Sequence, residues 1–213
     1  MSAYISEFLI GFGVSYLFSL PPGMISLNVL QTTIQKGLLS AFWLAFAAVL
    51  VESVQAFVGV KFSAWINANE SLKLGLEAFV IPVFLAFGIG NLAIGIRTLR
   101  KKNKEEIKPS KTIGSFWKGL IVSALNPVAI PFWVVWATGI SQKNLLNLEL
   151  SHILVFVFGT TIGTLACLMT YAVLSAFIAR RIHAVKVWMN IIVGILFLGL
   201  AIIQLVSIII KTR

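Results

Sequence analysis

Aspartate is absent from this 213-residue chain, cysteine occurs once and histidine twice. Only 11% of the residues are charged, less than half of the roughly 25% usual for a soluble domain. That shortage excludes an ordinary soluble enzyme and a disordered chain. The single Cys167 excludes an internal disulfide, and with it a secreted disulfide scaffold or a membrane thiol–disulfide carrier. It reads as a small buried hydrophobe. His152 and His183 stand at the ends of apolar runs, with no metal-ligand spacing around either. No nucleophile–base pair is legible, so the chain is not read as an enzyme. No cofactor is implied. A metal-ion or other cation transporter on a related six-helix scaffold is the alternative, but its site would gather several acids, cysteines or histidines.

What is abundant is apolar. Hydrophobic residues make up 59% of the chain, and the mean hydropathy is +0.98. Uncharged windows run over 8–35, 78–96, 119–142, 150–179 and 187–210, and a sixth, 37–60, is interrupted by Glu52 alone. Each approaches or exceeds the ~20 residues that span a bilayer as a helix. Six such spans use about 120 residues and leave only short loops. The expected fold is therefore an all-α integral membrane protein with six transmembrane helices.

The net charge of +10 reads as orientation rather than as a nucleic-acid footprint, because basic residues accumulate in cytoplasmic loops. Twelve of the 17 basic residues fall on one side: Lys36, the eight from Arg97 to Lys118, and Arg180, Arg181 and Lys186. Five fall on the other: Lys61, Lys73, Lys143, Lys211 and Arg213. Both termini are thus expected outside and the central loop 99–113 in the cytoplasm, with the chain in the cytoplasmic (inner) membrane. The N-terminal stretch lacks a basic region and carries Glu7, so no cleaved signal peptide is expected.

The basic stretch divides the chain into two halves, 1–98 and 114–213. Ser19–Ile25 lies 105 residues before Ala124–Ile130, with leucine, proline and isoleucine matching. Gly90 and Gly95 lie 104 residues before Gly194 and Gly199. An odd number of spans per half makes such repeats inverted, a layout common in secondary transporters.

The matched segments carry prolines inside apolar spans. Pro21 and Pro22 remove two N–H donors and clash with the preceding turn, while Gly23 adds backbone freedom. The first helix should break before Pro21 and restart as a half-helix towards Gln31. In the fourth span Asn126-Pro127 reads as a helix start, with asparagine as cap and proline at the first position. Pro131 should bend or restart that helix again. Non-helical backbone at membrane depth survives only inside protein or along a wet cavity. Paired interruptions in two halves point to a substrate site. Half-helix starts offer free N–H groups and the positive dipole end, which favour a carboxylate.

Glu52 is the one acid deep in a span. A charge there costs roughly 2.5–3.5 kcal/mol on insertion scales, so it should face the bundle interior. It reads as a proton-coupling carboxylate or a counter-charge for a substrate ammonium. Its structural alternative is a carboxyl satisfied by Gln55 or Ser53. The candidate substrate site is completed by Asn28, Gln55 and Asn91. Thr160, Thr161 and Thr164 read as interhelical glue. Gly159 with Gly163, and Gly11 with Ser15 and Ser19, form small-residue faces for close helix packing. The six tryptophans are assigned mainly to an interfacial belt.

This order of features resembles the lysine exporter and homoserine/threonine exporter (LysE/RhtB) type of amino-acid transporter, over nearly the whole chain. Pro22-Gly23 and Gly37 match that family's first motif, with Met24 in place of its second proline. Phe116, Gly119 and Asn126-Pro127 match its fourth-span motif, with Val128 in place of lysine. Glu52 is placed like the acid of the lysine-exporting branch. The resemblance implies export of amino acids or related metabolites, driven by the proton gradient or membrane potential. The partners implied are an amino-acid-like small molecule and the lipid bilayer. A homo-oligomer is compatible with this layout.

Overall fold

The computed structural model describes residues 2–21, 23–68, 70–100, 114–126, 129–180 and 182–211. Pro22 and Pro127 lie outside the described residues, as does the expected loop 99–113 from residue 101 onwards. The described residues form helices and no strand. In chain order these are α1 (Ser2–Ser19), α2 (Met24–Lys36), α3 (Leu38–Asn67), α4 (Glu70–Arg100), α5 (Ser115–Ala124), α6 (Ala129–Gln142), α7 (Leu150–Val173), α8 (Ser175–Arg180) and α9 (Ile182–Lys211). Within α3, α4, α7 and α9 lie stretches long and apolar enough to cross a membrane. The pairs α1–α2 and α5–α6 each make one further span if the bend is counted as a break, giving up to six.

The bends are large: 73° between α1 and α2, and 62° between α5 and α6. The first falls where Pro21 denies the helix a donor, as expected. Pro131 does not interrupt α6. It is the third residue of that helix, in the first turn, where no residue has an N–H partner to lose. Gly37 joins α2 to α3 with φ +86°, a left-handed conformation that a side chain would strain.

Two compact units emerge: Met1–Trp65 with Ile107–Arg180, and Ile66–Glu106 with Arg181–Arg213. Compactness groups the spans across the two sequence halves. The first unit holds both broken spans with α3 and α7, and the second holds α4 and α9.

In the first unit α1 lies backbone-to-backbone on α7. A Cβ added at Gly159 or Gly163 would fall on the carbonyl oxygen of Phe8 or Phe12, and one at Gly11 on that of Phe156. This is the close approach expected of the small-residue faces. On the other side α3 receives α5 at Gly119, against Leu44, and presents Gly59 to Trp133 of α6. Between them lies an apolar cluster of Ala56, Val60, Trp133, Ala137, Ile153 and Phe156. Trp133 is 1% exposed and meets Phe156 edge-on at 6.0 Å. Trp136 packs on Phe18 at 5.0 Å. These two tryptophans correct the interfacial assignment. Their side chains fill the bundle, whereas Trp43, Trp65, Trp117 and Trp188 are 46–64% exposed.

One buried acid was not singled out by the sequence. Glu7 is 3% exposed. It meets His152 Nδ1 at 2.7 Å and accepts the Asn147 N–H at 3.1 Å, tying α1 to the α6–α7 connection. The ring of Tyr4 stacks on His152 at 4.4 Å.

In the second unit α4 and α9 pack through Gly88, Gly95 and Gly194, where an added Cβ would meet Leu198, Ile191 and Leu92. Of the matched glycines, Gly90 and Gly199 have open space where a Cβ would stand. Close packing therefore requires one member of each matched pair and not the other.

Candidate functional site

Both helix breaks and the one acid deep in a span lie in the first unit. Proline decides where the first helix stops. Leu20 N donates to Leu17 O at 3.3 Å, a tightened last turn, and α2 restarts after an extended Gly23. No side chain caps that restart. Gly23 is exposed and Met24 is 62% exposed. Ser26 Oγ and the Leu27 N–H both return to Gly23 O. The N–H groups of the first turn have no helical acceptor by geometry, which leaves an uncapped positive end.

The second break opens at the end of α5. Leu125 N donates to Ile121 O at 3.0 Å and Asn126 N to Ser123 O at 3.1 Å. Asn126 thus closes α5 with its backbone, and α6 is described from Ala129. The Ser123 hydroxyl, 1% exposed, donates to Ala48 O of α3 at 2.9 Å.

Glu52 lies on α3, in the same unit as both breaks. The Thr164 hydroxyl of α7 donates to its Oε1 at 3.3 Å, and Thr164 is itself in short contact with the Ser15 hydroxyl of α1. Ser15 and Thr164 are 2% and 3% exposed. Glu52 keeps partial accessibility despite its depth. The donor is Thr164 rather than the expected Ser53 or Gln55. Ser53 returns its hydroxyl to Leu50 O at 2.8 Å. Gln55 turns its Nε2 to Ser123 O at 3.2 Å, while its enclosed Oε1 has no partner among the described residues.

Hydrogen bonds thus tie Gln55 to Ser123 O at the second break and Glu52 to Thr164 of α7, while Gly23 O is bonded within its own helix. Asn28 lies on α2, where its Nδ2 donates to Met24 O of the same helix at 2.7 Å. Asn91 belongs to the second unit and donates to Phe87 O one turn back at 2.8 Å. Thr160 and Thr161 both bond Val157 O of their own helix. The residue that sequence reasoning missed is Tyr171, 7% exposed, whose hydroxyl donates to Leu20 O at the first break. Its signal was its depth: a tyrosine inside an uncharged run, two turns beyond Thr164, where an interfacial ring does not belong.

Chemically the site is rich in acceptors around Glu52 and offers donors at the uncapped start of α2. A carboxylate in a medium of low dielectric attracts a cation far more strongly than it would in water. Such a site suits a molecule carrying both signs of charge. Among the described residues no group of three or more His, Cys, Asp or Glu is placed to hold a metal ion.

A family model described as LysE type translocator matches residues 8–207. No curated protein matches the chain, and no solved structure does. The matched segment contains both breaks and Glu52, and it reaches into all six candidate spans. The chain belongs to the LysE type translocator family and is a multi-pass membrane protein of that transporter family.

Proposed function

We propose that the protein is a secondary transporter that exports amino acids or related small metabolites across the cytoplasmic membrane, coupled to the proton gradient or membrane potential. The observation that carries this reading is that Glu52 and both broken spans belong to one compact unit. The exposed, uncapped start of α2 at Gly23 holds the substrate carboxylate, aided by Pro22. The second break at Asn126 and Pro127 supplies the opposing helix start. Glu52 balances the ammonium group or carries the coupled proton, with Gln55 one turn away on the same face. Asn28 belongs to this proposal as a flanking polar group.

Inverted repeats supply the mechanism, with one repeat rocking against the other. The pairing of spans supports this. The first broken span packs on α7, the fifth span, and the fourth broken span packs on α3, the second. Exchanging the halves converts one pair into the other. The excess of basic residues on one side supports termini outside and the central loop in the cytoplasm.

The test is uptake into inside-out vesicles across a panel of amino acids, with and without an imposed proton gradient. Gradient-stimulated uptake of at least one amino acid is expected. Vesicles holding correctly inserted protein that take up none of the panel would overturn the reading.

A further inference from the structure

At each break a carbonyl loses the donor four residues on that a continuous helix would give it. In an unbroken helix Leu20 O would accept from Met24 N, four residues on. Ser123 O would accept from residue 127, a proline without an N–H. Both carbonyls receive a side-chain donor from a different span, Leu20 O from Tyr171 and Ser123 O in addition to the Asn126 N–H at 3.1 Å. The Tyr171 hydroxyl of α7 donates to Leu20 O. The Gln55 carboxamide of α3 donates to Ser123 O at 3.2 Å. In each case the donor comes from the helix on which the broken span is packed.

We propose that Tyr171 and Gln55 are a matched pair of positioning residues, one clamp per break, that fix where each restarted half-helix aims its free N–H groups. Neither needs to touch the substrate. For Gln55 this replaces substrate contact as the main task, because its Nε2 is spent on Ser123 O and its Oε1 is enclosed.

The two clamps are also tied to each other. Thr164 stands two turns before Tyr171 on the same face of α7, and Glu52 stands one turn before Gln55 on α3. The Thr164–Glu52 hydrogen bond joins these two helices. Anything that weakens that bond, whether a proton that turns the charged acceptor neutral or a bound ammonium that competes for it, loosens the link between the clamps. This role at the substrate site rests on the transport reading above, but the clamps themselves do not.

The test is hydrogen–deuterium exchange on the full chain in lipid nanodiscs. Tyr171→Phe removes only the hydroxyl. It should speed exchange in the first turns of α2 by at least about fivefold while leaving the start of α6 within about twofold, since local opening is confined to its own cooperative unit. Gln55→Leu should do the reverse, and Thr164→Val should loosen both. A general loss of stability would raise both segments in every variant, and that result, or no change in either, overturns the proposal. A second readout uses Cys167→Ala with Gly23→Cys, a position with open space for a side chain. Maleimide labelling there should quicken with Tyr171→Phe and stay level with Gln55→Leu; equal labelling in both variants overturns the pairing. Should the exchange pattern hold while vesicles transport no amino acid, the clamps stand and the transport reading falls.

Discussion

The two compact units solve the same solvent problem with different chemistry. In the second, α4 and α9 are continuous helices, and their contact is made by glycines against Leu92, Ile191 and Leu198. Among its described amides, Asn91 spends its donor on its own helix. The first unit uses the same glycine device where α1 meets α7, yet it also contains two broken helices, a carboxylate and a chain of hydroxyls. Glycine packing is thus the general means of joining helices in lipid. Broken backbone and buried polarity are costly there, and among the described residues they fall in the first unit, where neighbouring side chains satisfy them.

The largest expected effect tests this contrast directly. Glu52→Gln should lower transport by at least ~10-fold, equivalent to about 1.4 kcal/mol, while inserted protein and its thermal midpoint in detergent stay near wild type. Full gradient-driven transport by Glu52→Gln would remove the distinction between the units. Next come the glycine contacts, which should behave alike in kind. Gly159→Ala pushes a Cβ onto the Phe8 carbonyl and should cost about 1–3 kcal/mol of unfolding free energy, a typical overpacking penalty. Gly194→Ala meets mainly the movable Leu92 side chain, so it should sit at the lower end of that range in the same denaturation series.

Smaller effects sharpen the comparison. Glu7→Ala leaves His152 and the Asn147 N–H without their acceptor, and thermal unfolding should report a loss of about 1–3 kcal/mol with transport retained. Asn91→Leu should change transport by no more than about threefold, since membrane hydrogen bonds average about 0.6 kcal/mol. A collapse of uptake in that variant would extend the site into the second unit. Gly90→Ala meets open space within a helix and should stabilise the protein by about 0.5–1 kcal/mol.

Much of the fold was legible because its causes are local. Uncharged runs near or above bilayer length announced the spans, and Pro21 placed the first break within a residue or two of where α1 ends. The small-residue faces of Gly11, Gly159 and Gly163 were read correctly because a missing side chain has one main use at a membrane helix contact. Pro131 misled because a proline's effect depends on its place in the helix, and the start of α6 is set by the break before it. Trp133 and Trp136 misled because a span-end position does not say whether a ring turns to lipid or into the bundle.

The site was legible in its charge but not in its partners. Glu52 stood out as the one acid deep in a span. Its donor, Thr164, lies 112 residues away. Tyr171 lies 151 residues from the carbonyl it holds, and His152 lies 145 from Glu7.

The sequence alone determined the solvent, the candidate spans and the first break, because hydropathy and a missing N–H act within a few residues of where they stand. The tertiary structure alone decided which side chains satisfy what the breaks expose. Those partners are chosen by which helices meet, and helices meet through packing between positions that the order of residues does not bring together.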